Sequence, residues 1–384
     1  MKQRKIVFVL GAGFSKAAGY PLQKEILPRL FGLPKGAVDK DLLRFIKDCF
    51  PGKSATPLED IYTGLDKAIS GERRIYKYAP RSLREHKREL DRAIAALFTE
   101  TVAPESMEYL ERFANLLKNI RIKAGQPKDP LSVITTNWDF LLEEAFVRLN
   151  EISSKKQLRR RRVVVDYCTF EHQLDPQLEK VIPRSLFIKA SGWFNLKILK
   201  LHGSVSWIKC PRCDSLFVAF RKDKLEAIMR GFFPCRICEK NLGLQTKLDL
   251  FQLSPTFVKE MGNVHYRMIW WNAGFELSEA THLVFVGYSL PSADFELRNL
   301  LLSRLSNRAM PKIKVVQYRK SGDEGSEAVY AETVRRYKDF FGGHISDSDF
   351  SPLGAFDYID RIADLRGERV WKFHESQWRW ASLR

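Results

Sequence analysis

Short apolar runs recur along the chain, and each predicts a strand that is buried on both faces. The clearest runs are Ile6–Leu10, Leu131–Thr135, Val163–Asp166, Leu283–Val286 and Ile313–Tyr318. Continuous apolar runs of this length are typical of parallel sheets, because helices cover both faces of such a sheet. The pattern therefore predicts an α/β fold built on a doubly wound parallel sheet.

Between the first two runs, the periodicity is that of helices. Residues 21–130 place apolar side chains at helical spacing, for example Leu42, Phe45 and Ile46, and contain no strong strand pattern. A Rossmann-like sheet would return to its second strand much sooner, so we interpret this segment as an inserted helical layer. Further helical patterns begin at Phe140 and cover residues 263–280 and 295–305.

The turn after the first strand contains two glycines, in the order Gly11-Ala12-Gly13, and Ser15 follows at the start of a predicted helix. Such a turn lets the backbone approach a phosphate, and the helix supplies free N–H donors. The spacing departs from the G-x-G-x-x-G dinucleotide fingerprint, because Lys16 stands where a third glycine would lie. The turn alone is therefore a weak signal, and a plain structural turn is equally consistent with it.

Polar residues also follow later predicted strands, at the end of the sheet where doubly wound folds bind ligands. These residues are Asn137, Asp139, His202, Gly287 and Ser289. Ordinary structural interpretations stay open for them: Asn137 can shape a turn and Asp139 can cap a helix. A lone histidine such as His202 is also more often structural than catalytic.

Four of the six cysteines form two C-x2-C pairs separated by 21 residues: Cys210, Cys213, Cys235 and Cys238. Two thiolate pairs at this spacing predict a closed tetrahedral zinc site. Since no coordination position is left open, the zinc is expected to be structural. The alternative is a set of reduced thiols without metal. We predict a small zinc-binding module over residues 205–245.

The composition is that of a folded protein with a large excess of positive charge. The chain has 384 residues, of which 45% are hydrophobic and 29% charged, and a formal charge of +18. This charge attracts polyanions, nucleic acid included, although a solubility role spread over the surface is the alternative. No apolar run approaches the ~20 residues that cross a bilayer, and MKQRK leads directly into the first strand. We therefore expect a cytoplasmic protein without membrane contact.

Taken in order, GAGFS, TTNWD, LHGS, the four-cysteine pattern and VGYSLP resemble the motifs of the sirtuin family. The resemblance is greatest to the bacterial sirtuin-like proteins of antiphage defence, and it spans roughly residues 6–320. It implies a sirtuin-like NAD-binding domain over residues 1–320. Residues 321–384 are then a C-terminal helical extension, available for an oligomer or partner contact.

The resemblance implies a role for each motif residue. Asn137 would lie beside the nicotinamide ribose, His202 would be the catalytic histidine, and Asp139 would lie near the carboxamide. The NAD pyrophosphate would be held by Gly11, Ala12, Gly13 and Ser15, the adenosine side by Gly287 and Ser289, and structural zinc by Cys210, Cys213, Cys235 and Cys238.

The resemblance thus implies an NAD+ glycohydrolase that cleaves NAD to nicotinamide and ADP-ribose and acts in antiphage defence by depleting NAD. Because such an enzyme must be silent until triggered, control by a homo-oligomer or by a HerA-like ATPase partner is expected. Two alternatives are an NAD-dependent protein-lysine deacylase, and a non-catalytic NAD or ADP-ribose sensor or nucleic-acid-binding module. The peptide-binding features of deacylating sirtuins are missing at Gly19–Lys24, which lacks a GIPDFR-like segment, and at Leu253–Met261, which lacks a phenylalanine-glycine-glutamate element.

Overall fold

The structure, a computed structural model, describes residues 4–34, 36–50, 52, 55–99, 104–125, 128–155, 162–174, 193–219, 233–252, 262–305 and 310–363. The strands are β1 (Ile6–Leu10), β2 (Leu131–Thr135), β3 (Arg162–Asp166), β4 (Glu171–Gln173), β5 (Trp193–Lys200), β6 (Gly203–Lys209), β7 (Leu216–Val218), β8 (Asp249–Gln252), β9 (His282–Val286), β10 (Lys312–Val316) and β11 (Phe350–Ser351). The α-helices are α1 (Ala12–Lys16), α2 (Gln23–Gly32), α3 (Lys40–Cys49), α4 (Leu58–Ser70), α5 (Pro80–Leu97), α6 (Pro104–Ala124), α7 (Leu141–Lys155), α8 (Arg236–Leu242), α9 (Val264–Glu279), α10 (Phe295–Leu305), α11 (Glu324–Phe341) and α12 (Ala355–Ala363).

Within the described residues, seven strands form a parallel sheet in the order β11-β10-β9-β1-β2-β5-β3. Every residue of β1, β2 and β9 is buried, which confirms the prediction of strands covered on both faces. From β1 the chain passes to β2, then to the edge strand β3 and back to β5, and it later continues with β9 and β10 on the other side of β1. The strand order therefore reverses next to β1, and such a reversal opens a crevice at the carboxyl ends of the strands.

Helices cover both faces of this sheet. Phe8 of β1 packs edge-on against Phe113 of α6, with ring centroids 5.2 Å apart. The next residue, Val9, is paired with Phe285 of β9, so Phe285 points to the opposite face. There its ring packs against Tyr337 of α11, at 5.1 Å between centroids. The doubly wound α/β arrangement predicted from the sequence is confirmed.

The predicted helical layer between β1 and β2 consists of α2 to α6, and the described part of this segment contributes no strand to either sheet. Leu42, Phe45 and Ile46 form the buried face of α3, as their spacing predicts. None of the described helices is both long enough and apolar enough to cross a membrane.

Residues beyond 320 contribute to the main sheet and its core. The Tyr337 hydroxyl of α11 donates to the Tyr288 carbonyl at 2.8 Å, and β11 pairs in parallel with β10. The sequence predicts a helical extension here, and the structure adds an edge strand to it. Residues 364–384 lie outside the described residues, so an oligomer or partner contact by this segment stays a prediction.

The turns that follow β1 and β9 are in direct backbone contact. The Gly13 N–H donates to the Gly287 carbonyl at 2.9 Å, and the Gly11 N–H donates to the Val286 carbonyl at 3.1 Å. A Cβ on Gly13 would lie 2.8 Å from the Gly287 Cα, and Gly287 itself has a φ of +63°. Glycine is therefore needed here for packing and backbone conformation. We call this pair of touching turns, residues 11–13 and residue 287, the glycine contact.

We expect Gly13→Ala to lower the free energy of unfolding by about 1–3 kcal/mol, because the added methyl group meets backbone that cannot move aside. Gly32→Ala is the matched control, since no atom lies within 4 Å of the Cβ it would gain at the end of α2. The control should be neutral or slightly stabilising. Chemical denaturation of both variants gives the comparison, and equal stabilities would contradict a tight glycine contact.

Candidate active site

A cavity opens at the carboxyl ends of β1, β2 and β5, beside the glycine contact. Its lining includes Ala12, Ser15, Asn137, Asp139 and His202. These residues come from three separate parts of the chain, and the parallel sheet brings them to one edge. Five of the residues predicted from the sequence are therefore adjacent in space. The other predicted cofactor-binding residues are in the two neighbouring turns: Gly11, Gly13, Gly287 and Ser289.

Asn137 and Ser15 link the segment after β2 to the turn after β1. The Asn137 side-chain amide donates from Nδ2 to the Gly11 carbonyl at 2.9 Å and to Ser15 Oγ at 3.0 Å. Ser15 Oγ in turn donates to Asp139 Oδ2 at 2.6 Å. Because all these groups are buried, the hydrogen bonds hold the side chains of Asn137 and Ser15 in one orientation before any ligand binds.

Asp139 also has the structural role that the sequence allows. Its Oδ1 accepts the backbone N–H of Leu141 at 3.2 Å, where α7 begins. The capping interaction and the bond to Ser15 use different carboxylate oxygens, so the two roles are compatible.

A buried ion pair lies next to the segment that contains Asp139. Lys200, at the end of β5, lies with its Nζ 3.0 Å from Glu143 Oε1 and donates a hydrogen bond to the Asp139 carbonyl. Both charged side chains are at most 2% exposed. The pair joins the end of β5 to the start of α7, and removing one partner would leave an uncompensated buried charge. Neither residue stands out in the sequence as a candidate site residue.

His202 lies in the turn between β5 and β6 and is 8% exposed. The backbone fixes this turn to the Asn137 segment, because the Val205 N–H donates to the Trp138 carbonyl at 2.8 Å. The His202 Nε2 atom lies 3.3 Å from Oδ1 of Asp294, which also lines the cavity. Asp294 was missed in the sequence, since an aspartate directly before a helix is an ordinary capping signal. Its place in the segment after β9 was the one available indication.

Glu59 is a second carboxylate of the cavity wall that is not predicted from the sequence. It lies in the first turn of α4. Burial is the main reason why the pKa of Glu59 is raised, and the negative charge of Asp294 adds to this effect. A hydrogen bond from Gln23 acts in the opposite direction. Together with Ile26 and Phe98, these residues show that the helical layer forms part of the cavity wall.

The four predicted zinc ligands form a cluster beside a second sheet, whose described strands have the order β4-β7-β6-β8. The Sγ atoms of Cys210 and Cys238 are 3.6 Å apart, those of Cys213 and Cys235 are 3.7 Å apart, and all four lie within 4.8 Å of one another. Four sulfurs at 2.3 Å from a tetrahedral zinc would be about 3.8 Å apart. The cluster therefore fits zinc, and with four sulfur ligands its role would be structural.

We expect the purified protein to contain one zinc ion per chain. Cys210→Ser should lose the zinc and lower the thermal unfolding temperature, because metal binding contributes to the stability of the folded state. Cys49→Ser should retain the zinc, since Cys49 is a half-buried free thiol on α3. Metal analysis by mass spectrometry checks both variants, and a metal-free parent protein would contradict the assignment.

No protein-family model matches the sequence, and no curated protein matches it either. Solved structures with an overall likeness include a Sir2 homologue in complex with NAD, with 15% sequence identity, 96% of this chain and 90% of that chain covered, and a TM-score of 0.44. A mutant Sir2 homologue in complex with ADP-ribose has 14% identity, coverage of 96% and 92%, and a TM-score of 0.40. A Sir2 protein bound to a propionylated peptide has 13% identity, coverage of 94% and 92%, and a TM-score of 0.39. Because these TM-scores are all below 0.5, the likenesses carry no functional argument. We therefore infer the function of this chain from its own residues.

Proposed function

We propose that this chain is an NAD+ glycohydrolase, which cleaves NAD+ with water to nicotinamide, ADP-ribose and a proton. The supporting observation is that Asn137 and His202 line one cavity beside the glycine contact. This cavity lies where the strand order reverses, and doubly wound sheets bind nucleotides at that position. Residues 1–320 would then form a sirtuin-like NAD-binding domain, as the order of the motifs suggests.

Within the turn after β1, the residues divide between two roles. The N–H groups of Gly11 and Gly13 donate to carbonyls at the end of β9 and in the following turn, whereas Ala12 and Ser15 line the cavity. We therefore propose that the pyrophosphate approaches Ala12 and Ser15. The two glycines would provide the close packing of the turns that makes this approach possible. Contact of the adenosine side with Gly287 and Ser289 stays a prediction.

The chemistry of the cavity suits departure of neutral nicotinamide from the pyridinium form in which it is bound in NAD+. As the glycosidic bond breaks, positive charge develops on the ribose. The carboxyl groups of Asp139, Asp294 and Glu59 line the cavity, so an ionised carboxylate there would stabilise this charge without reorganisation. Asn137 is held rigidly enough to position a ribose hydroxyl or the attacking water. His202 provides an imidazole, the side chain best suited to accept a proton at neutral pH.

The residues of the turn after α1 favour hydrolysis over acyl-lysine deacylation. In place of the GIPDFR-like segment of deacylating sirtuins, this chain has Gly19–Lys24, of which Pro21 and Gln23 line the cavity. The other departure, Leu253–Met261, lies outside the described residues. Without a bound acyl-lysine, water is the natural acceptor of the ADP-ribosyl group.

The biological setting is also part of the proposal. The motif resemblance supports a role in antiphage defence by NAD depletion, held silent by a homo-oligomer or by a HerA-like ATPase partner until infection. Binding of nucleic acid is a further proposal, supported by the formal charge of +18.

The experiment is turnover and binding of NAD+ by the purified full-length chain, with and without an acyl-lysine peptide and with candidate activators. We expect nicotinamide and ADP-ribose to form in equal amounts without peptide, as measured by liquid chromatography. Strict dependence on the peptide would identify a deacylase instead. Absence of both turnover and NAD+ binding under all conditions would contradict the proposal.

We expect His202→Ala and Asn137→Ala each to lower the rate of nicotinamide release by at least about 100-fold, because each removes a group that acts on the reacting ribose or water. His344→Ala is the matched control, since His344 is exposed after α11 and away from the cavity lining. The control should retain the parent rate. Parent-like turnover in either cavity variant would exclude the assigned role of that residue.

A further inference from the structure

The carboxylate of Asp294 lies between two side chains that come from different parts of the fold. Its Oδ2 accepts the hydroxyl of Tyr288 at 3.0 Å, and its Oδ1 lies 3.3 Å from the Nε2 of His202. Its main-chain carbonyl accepts the Arg298 N–H at 3.0 Å, at the start of α10. The position and orientation of the carboxylate are thus fixed by residues other than His202.

Tyr288, which holds one side of this carboxylate, is itself held rigidly. It is 3% exposed, and its carbonyl accepts the Tyr337 hydroxyl of α11 at 2.8 Å. Burial, reinforced by the charge of Asp294, raises the pKa of Tyr288 well above its usual range. The phenol is therefore protonated at neutral pH and donates to Oδ2. Oδ1 is then the oxygen that faces the histidine.

One nitrogen of the His202 imidazole lies beside a carboxylate. The Nε2 atom is shielded from solvent, and it is the nitrogen that faces Asp294. A distance of 3.3 Å is slightly long for an N–H···O bond, and contacts of this kind commonly shorten when substrate binds. When one imidazole nitrogen carries a proton toward a carboxylate, the other nitrogen is set as the base.

We propose that Asp294 is the positioning residue of His202: its carboxylate receives Nε2–H, so that Nδ1 is the atom that takes the proton during NAD+ cleavage. The carboxylate also stabilises the imidazolium that this proton transfer creates. The catalytic part rests on the proposed function, whereas the pairing of Asp294 with His202 does not depend on it.

The other ionisable groups around the histidine are placed differently. Glu59 of α4 and Asp139 after β2 line the same cavity, and Lys200, two residues before His202, is engaged with Glu143. Among the described residues, Asp294 is the one whose carboxylate lies within ion-pair distance of His202. Its charge should therefore dominate the protonation of this imidazole.

The test is Asp294→Asn in the full-length chain, with Glu59→Gln as the matched control that removes a carboxylate from the same cavity. NMR titration gives the pKa of the His202 imidazole, whose signal is assigned by its loss in His202→Ala. We expect this pKa to fall by at least about one unit in Asp294→Asn, because a carboxylate next to an imidazolium favours the charged form. The fall in Glu59→Gln should be less than half as large.

Steady-state kinetics provide the second readout. In Asp294→Asn, kcat for nicotinamide release should fall by about 10²–10⁴-fold, as when a hydrolase triad loses its orienting carboxylate. KM should change less than twofold, and the acid limb of the pH–rate profile should move to lower pH. Asparagine retains an oxygen for the Tyr288 hydroxyl, and an unchanged thermal unfolding temperature would confirm that the variant is folded.

The outcomes separate the two claims. An unchanged His202 pKa in Asp294→Asn overturns the pairing, whatever the turnover. Parent-like kcat and pH profile in that variant, while His202→Ala is inactive, overturn the positioning role but leave the proposed function intact. If His202→Ala is fully active, the proposed role of the histidine fails, and the titration still decides whether Asp294 is its partner.

Discussion

The close approach of the turn after β1 to the turn after β9 is the constraint on which the cavity depends. A side chain at Gly13 would strike the backbone of Gly287, and one at Gly287 would lie 2.2 Å from the Phe14 nitrogen. This approach sets the position of Ser15, which bonds both Asn137 and Asp139. The glycines thus act on the site indirectly: they place a hydroxyl that orients the polar side chains.

The second half of the site is attached through the sheet. The pairing of β2 with β5 places the segments that follow them side by side, and the bond between Val205 and Trp138 joins those segments directly. His202 therefore reaches the same cavity as Asn137, although the two are far apart in the chain. The helical layer also forms part of the cavity wall, through Glu59. The cavity is thereby linked to a part of the chain that lies outside the sheet.

Much of this arrangement could be predicted from the sequence, for identifiable reasons. Strands buried on both faces leave continuous apolar runs, so Ile6–Leu10 and Leu131–Thr135 have the predicted bounds. Strand β11 has two residues and is too short to leave a pattern. Asp294 could not be predicted, because an acidic residue before a helix is commonplace, and its contact with His202 exists only in three dimensions. The packing role of Gly13 was hidden for the same reason.

The central claim is that the glycosidic bond of NAD+ lies in the cavity between Asn137 and the turn that carries His202. A crystal structure of His202→Ala with bound NAD+ tests this most directly, since the variant should hold the substrate uncleaved. We expect the ribose carbon of the glycosidic bond to lie beside the Asn137 side chain, with the pyrophosphate toward Ala12 and Ser15. A dinucleotide bound elsewhere, or bound with its nicotinamide end pointing out of the cavity, would contradict the account.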